Sequence, residues 1–324
     1  MPTNMMRTAM MLAAMTALFL IVGAMLGGRG GMMVAFAIAV ATNVFAWWNS
    51  DRLALASTDA REVDAATAPD LVSLVGDLAR RAQLPMPRVY MIDSDQPNAF
   101  ATGRDPDHAA VAVNAGLVRM LTREELSGVL AHELAHVKNR DTLTMTITAA
   151  LAGAISSIAH WGFFFGGRRD NGPGPLAAVL ISILAPMAAM VVQMAVSRGR
   201  EYEADRAGAL ICGNPRWLAS ALAKISGGVA AIPDPHAEAH PAMAHMYIFN
   251  PLTGGGMDNL FSTHPDVGNR IAALEELARQ MGIADTPVRS GGWAPFRDES
   301  RPGSFLGGAG LAGGNRGQRR GPWG

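Results

Sequence analysis

The sequence predicts a mainly helical, α+β fold: a four-helix transmembrane region joined to a water-facing domain that carries a small sheet. Three observations predict it. Four stretches free of Asp, Glu, Lys and Arg are each long enough to cross a bilayer. Apolar residues at helical spacing recur outside them, as in Leu71, Leu74, Val75 and Leu78. Two short β-type runs, Arg88 to Asp93 and Ala109 to Val113, lie between these helices.

The crossings run from Thr8 to Leu26, Gly30 to Trp48, Thr142 to Phe165 and Pro175 to Val196. At about 1.5 Å per helical residue, each spans roughly 30 Å of hydrocarbon. The first two are separated by Gly27, Gly28 and Arg29, which predicts a tight helical hairpin. Trp47 and Trp48 close the second stretch, where amphipathic aromatics favour the interface. A cleaved signal peptide is the alternative for the first stretch, but no clear small-x-small site precedes the second. Interior burial in a soluble protein is the alternative for the last two.

Composition agrees with a membrane protein: 49% of residues are hydrophobic and only 17% charged. Formal net charge is zero, so nothing argues for a nucleic-acid partner. Cys212 is the only cysteine, which excludes an intrachain disulfide framework and any cysteine-rich metal site. Ala, Gly and twenty methionines suit close helix approach, and would permit a homo-oligomer without demanding one.

Crossing parity organises the chain. Two crossings precede Asn49 and two more separate Asp141 from Ser197, so residues 49–141 and 197–324 share one side. That side is flanked by Arg7, Arg52, Arg61, Lys138, Arg140, Arg198, Arg200 and Arg206, against Arg29, Arg168 and Arg169 opposite. The positive-inside rule puts the larger set in the cytoplasm.

Within the first shared segment, Thr122-Arg123-Glu124-Glu125 has the form of a capping box and starts a helix. Leu126, Leu130 and Val137 face its core side, and His132 and His136 fall on a neighbouring face. His132-Glu133-Leu134-Ala135-His136 is an HExxH motif: two imidazoles at i and i+4 can bind one zinc, and the carboxylate between them can polarise water. A surface or capping role is the plain alternative for such a pair.

Catalytic zinc takes three protein ligands, so a third must come from elsewhere. Immediately after the fourth crossing stand Glu201 and Asp205, 65 positions or more beyond His136, yet returned by parity to the same membrane face. At i and i+4 they share a helical face, so one could ligate and the other orient an imidazole. An exposed helix laced with Arg–Glu pairs is the alternative for this run.

HELAHVKNRD, then a membrane hairpin, then SRGREYEADRAGA resembles the HtpX family of membrane-integral zinc metalloproteases, similar in catalytic core to CAAX prenyl endopeptidases. The resemblance runs from the first hairpin to about Met281. It implies a zincin-like cytoplasmic catalytic domain with one zinc ion held by His132, His136 and Glu201. Glu133 would be the general base, and Asp205 would orient a ligand. Phe261-Ser262-Thr263-His264-Pro265 with Arg270 resembles the family's THP…R element, implying His264 as an oxyanion donor and Arg270 as a supporting residue. Capping by Thr263 or Asp266 is an equally weighted reading of that segment. Gln96 to Gly103 resembles the loop and strand beside the cleft, where Asn98 and Ala99 could meet extended substrate.

These readings divide the chain into a transmembrane hairpin (1–48), a first catalytic part (49–141), a second hairpin (142–196), a second catalytic part (197–285) and a disordered tail (286–324). The resemblance implies a multi-pass protein of the bacterial inner membrane that cleaves misfolded or damaged membrane proteins in quality control. Two rivals differ. A scaffold with structural zinc would need a closed fourth ligand, and no Cys lies near HELAH. A prenyl-protein endopeptidase calls for a larger membrane chamber than four crossings build. His236, His240 and His245 lie among Pro233, Pro235 and Pro241, which reads as a loop rather than a second metal cluster. His160 sits beside Trp161 at the far end of the third crossing, an interfacial position.

Overall fold

A computed structural model describes residues 2–148, 198–232, 246–248 and 265–284. Most of the third and all of the fourth predicted crossing, the histidines at 160, 236, 240, 245 and 264, and the tail lie outside the described residues.

The chain begins with α1 (Pro2–Trp48), two helices joined at Gly27 and Gly28. Gly28 adopts φ 55° and ψ −139°, a conformation open essentially to glycine alone, and this reverses the chain. The arms then run side by side: Asn43 Nδ2 donates to Leu12 O at 3.3 Å and to Thr16 Oγ1 at 3.0 Å. The predicted hairpin is therefore present. Its second arm, Gly27–Trp48, is 22 residues long and apolar enough to cross a membrane, whereas the first offers a shorter apolar stretch, Thr8–Ile21. Met33, Val34, Phe36, Val44, Phe45 and Trp48 lie exposed on the second arm, as lipid-facing residues would.

After α2 (Ser50–Ala56), four strands form one sheet in the order β1-β2-β4-β3. They are β1 (Arg61–Val63), β2 (Arg88–Ile92), β3 (Ala99–Gly103) and β4 (Ala109–Asn114). β2 and β4 are parallel, while β1 and β3 pair antiparallel at the two edges. Both faces are buried, which is why β4 reads as the unbroken apolar run Ala109 to Val113. Side-chain alternation divides the core. Val89, Met91, Ala101, Val111 and Val113 pack with the helices described next. Tyr90, Ile92, Phe100 and Ala112 pack on the opposite face with Leu55, Met145 and Tyr247.

Between β1 and β2 lies α3 (Pro69–Ala82), with proline in its first turn and left-handed Gln83 ending it at φ 59°. It buries Leu71, Leu74, Val75 and Leu78, each worth about 1.5–3 kcal/mol. A short α4 (Ala115–Met120) leads to α5 (Arg123–Asn139), which carries HELAH. The capping box is complete: Thr122 Oγ1 accepts from the Glu125 N–H and Glu125 returns a bond to the Thr122 N–H. Left-handed Arg140 terminates α5 at φ 59°, and a further helical stretch resumes at 141–148.

The remaining helices among the described residues are α6 (Arg198–Cys212), α7 (Pro215–Ala231) and α8 (Val267–Gln280), the last capped by Asp266. The sequence predicts that α5 presents one core face. Instead every residue from Glu125 to Val137 is buried. The reason is that α3, α6, α7 and β3 all contact it. Small residues permit this enclosure: Gly128 lies against the backbone of Leu218, and Gly208 against that of His132.

Candidate active site

The centre is made by two helices that approach through glycine. Gly208 lets α6 rest on the α5 backbone at His132, and Glu201 lies two turns earlier on the same face of α6. His132 Nε2 and His136 Nε2 stand 3.2 Å apart, one helical turn separating them. Glu201 Oε2 is 3.6 Å from the first and Oε1 is 3.7 Å from the second. All three side chains are buried.

These spacings can be tested against a metal ion. Tetrahedral zinc with N and O ligands at about 2.0–2.2 Å separates its ligand atoms by about 3.3 Å. One ligand atom from each residue can be chosen so that all lie within 4.8 Å of one another; the imidazole pair at 3.2 Å is close to that edge length, and each imidazole has one Glu201 oxygen at 3.6 or 3.7 Å. Among the described residues, His132, His136 and Glu201 form the one such group. A set of two imidazoles and one carboxylate leaves a coordination position open, as catalytic sites require.

Each imidazole is held from behind by a carboxylate. His132 Nδ1 lies 3.0 Å from Asp205 Oδ1, and His136 Nδ1 lies 3.2 Å from Asp141 Oδ2. With a proton on each Nδ1, both Nε2 lone pairs would face the shared centre. Asp205 is itself clamped by Arg270, which donates through Nε at 2.8 Å and Nη2 at 2.7 Å. Arg270 also brings Nη1 to 3.5 Å from Glu201 Oε2, so one buried guanidinium braces both acids. Burial alone would raise the Asp205 carboxyl, but the bonds from Arg270 and His132 outweigh it and hold it low.

The electrostatics favour a cation. Burial depresses the His132 imidazole, keeping it neutral and able to ligate. Burial opposes charge on His136 too, yet Asp141, Glu201 and Glu133 together raise it to about 9. Acids that draw a proton onto His136 would draw a metal ion equally well. Burial pushes the Glu133 carboxyl up to about 8, with Glu201 adding to the rise and His136 resisting it. The Ala101 N–H of β3 donates to that carboxyl and fixes it beside the sheet edge.

The sequence-predicted residues fall into three groups. His132, Glu133, His136, Glu201, Asp205 and Arg270 converge. Asn98 and Ala99, expected to meet substrate, are fully buried. The Asn98 backbone carbonyl accepts from the Asn114 N–H, and the Ala99 carbonyl accepts from the Ile248 N–H at 3.2 Å. At that point the chain's own residues cover the strand edge. His264 lies outside the described residues.

Asp141 was not anticipated as a site residue. It sits five positions beyond His136, a spacing that a continued helix would carry to another face. The left-handed turn at Arg140 brings it back, and Arg200 Nη1 approaches its Oδ1 at 3.7 Å. The acidic residue closing the run Lys138-Asn139-Arg140-Asp141 just past a helix end is the signal that could have found it.

The profile of peptidase family M48 matches residues 65–278, a span that includes every converging residue. Among solved structures, the crystal structure of S. mikatae Ste24p is similar at TM-score 0.47 and 16% identity, covering 84% of this chain. This chain spans 66% of the length of that protein. With about two thirds of its residues under that family profile, from α3 through α8, the chain belongs to peptidase family M48.

Proposed function

We propose that this protein is a membrane-integral zinc metalloendopeptidase whose HtpX-type site hydrolyses peptide bonds of misfolded or damaged membrane proteins. The single observation that carries the reading is the convergence of His132, His136 and Glu201 at ligand spacing, with Glu133 beside them. His132, His136 and Glu201 would hold one zinc ion per chain. Bound there, zinc supplies Lewis-acid polarisation of water and of the scissile carbonyl.

The chain's own residues do the rest. Glu133, beside the ligand group, would accept the proton from attacking water and deliver it to the leaving amine. Asp205 and Asp141 keep both imidazoles in the ligating tautomer, and Arg270 holds Asp205 and Glu201 in place. His264 is the proposed oxyanion donor. Extended substrate would run along the outer edge of β3, displacing Ile248 from the Ala99 carbonyl.

The apolar helix Gly27–Trp48 supports membrane insertion, and the arginine bias supports a cytoplasmic catalytic domain in a bacterial inner membrane. Purified Glu133→Ala should bind zinc yet fail to cleave casein or itself; retained cleavage would sink the assignment of Glu133. His132→Ala, His136→Ala and Glu201→Ala should each lose the metal, and normal zinc in Glu201→Ala would move the third ligand elsewhere. Reporter fusions at Asp141 and Asn171 should lie on opposite sides, with Asp141 cytoplasmic. Faster cleavage of a prenylated peptide than of a misfolded membrane protein would overturn the substrate class.

A further inference from the structure

At the foot of the apolar arm, away from the His–His–Glu group, a cleft of about 460 Å³ opens between Trp48, α2 and the turn joining β3 to β4. Its wall carries Arg52, Arg88 and Arg104, with His108 and Asp107 at the rim. Arg104 has its guanidinium 4.9 Å from the Trp48 ring centroid, donates to the Trp48 carbonyl at 3.3 Å, and brings Nε to 3.6 Å from Asp105 Oδ2. Arg88 is paired with Asp51, and His108 Nδ1 lies 2.7 Å from Asp105. Arg52 is exposed in the first turn of α2 and makes no ion pair among the described residues. Directly above, Phe45 and Trp48 share a face at i and i+3 and are both exposed.

An apolar helix face that ends in a tryptophan and passes at once into arginines matches one ligand: acyl chain above, phosphate below. We propose that this cleft binds the headgroup of a glycerophospholipid, its phosphodiester facing Arg52 and Arg104 and its acyl chain lying along Phe45. Asp107, exposed on the rim, selects a headgroup that also carries an ammonium. A bound lipid would set the depth at which the domain sits below the bilayer. The inference rests on the membrane-spanning reading of Gly27–Trp48.

The test uses the delipidated full chain in mild detergent, titrated with short-chain phosphatidylethanolamine and followed by native mass spectrometry. One lipid should bind, and Arg52→Gln and Arg104→Gln should each weaken it about fivefold, the order expected for one basic side chain at a membrane surface. Asp107→Asn should weaken the ethanolamine lipid and leave phosphatidylglycerol unaffected. Arg52 makes no ion pair among the described residues, so its reading does not depend on the packing that Arg104 also serves. Unchanged binding in Arg52→Gln and Arg104→Gln would overturn the site. Displacement by inorganic phosphate as effective as by lipid would overturn the lipid assignment in favour of free phosphate. Release of the wild-type chain from membranes by alkaline carbonate would overturn the spanning reading, a failure separable from the other two.

Discussion

Gly208→Ala sets helix propensity against packing, and the two predict opposite signs. Alanine is favoured over glycine in a helix interior by about 1 kcal/mol. At position 208, however, the added Cβ would stand 2.7 Å from His132 N and 2.8 Å from His132 Cα, with Ala131 C at 3.0 Å. Carbon contacts settle at about 3.5–4.0 Å, so α6 must retreat from α5 by about 0.7–1 Å. The obstacle is helix backbone and cannot rotate away. Overpacking of this kind costs about 1–3 kcal/mol, which cancels or exceeds the propensity gain. Glu201 rides on the same helix and moves with it, so a shift near 1 Å opens the 3.6 and 3.7 Å spacings to the imidazoles. Misplacement on that scale costs about a hundredfold in rate. Gly227→Ala is the control, since its Cβ would meet nothing within 4 Å. Thermal unfolding, chelator competition for zinc and casein cleavage are measured on both variants. Gly227→Ala should gain stability with zinc affinity intact, whereas Gly208→Ala should lose affinity and activity without gaining stability. A Gly208→Ala protein with raised melting temperature and unchanged zinc affinity would refute the packing argument.

Asp141→Asn keeps the shape but removes the charge behind His136, and should weaken zinc about 10–100-fold in a competition titration; wild-type affinity would remove Asp141 from the site. Arg270→Met leaves Asp205 buried against His132 without its guanidinium, a loss of about 3–5 kcal/mol in denaturant unfolding. The double change with Asp205→Asn should recover part of it, and a single variant within about 0.5 kcal/mol of wild type would contradict the clamp. Glu125 tests pH linkage. Burial would raise its carboxyl, but Lys224, Ser220 and the Thr122 N–H together hold it below its ordinary value of 4.5. Its contribution is therefore complete above that value and is lost as pH falls through the lowered one. Melting temperatures of wild type and Glu125→Gln should converge in that acid window, and a constant gap would contradict the linkage.

How far the sequence could reach depends on whether a feature is local. Thr122 and Glu125 state the start of α5 in four residues, and HELAH puts two imidazoles on one face by helical spacing alone. Gly27 and Gly28 announce the reversal of α1 for the same reason, since only glycine adopts the conformation at 28. Glu201 was reachable at one remove, because the four crossings expected from the sequence would return it to the side of His136. Three features were not reachable. Asp141 depends on the left-handed turn at Arg140, which carries no glycine to mark it. Ile248 meets Ala99 across 149 positions, and no periodicity records such a contact. The close approach at Gly208 reads, in sequence, as one more small residue in an alanine-rich helix.

The close approach at Gly208 bears on what holds the centre together. Glu201 and His136 belong to separate chain segments, so their spacing is set by whatever fixes α6 against α5. Gly208 supplies the approach, and the Arg270 clamp on Asp205 supplies the direction from α8. Neither is a candidate ligand. A metal ion at the centre would add a further tie between the two segments, binding the folded chain and not the unfolded one. Zinc held at a hundred times its dissociation constant then stabilises by about 2.7 kcal/mol. Chelation should accordingly lower the melting temperature of the wild type and leave that of Glu201→Ala where it is. Equal shifts in both proteins would place the stabilising metal elsewhere than between α5 and α6.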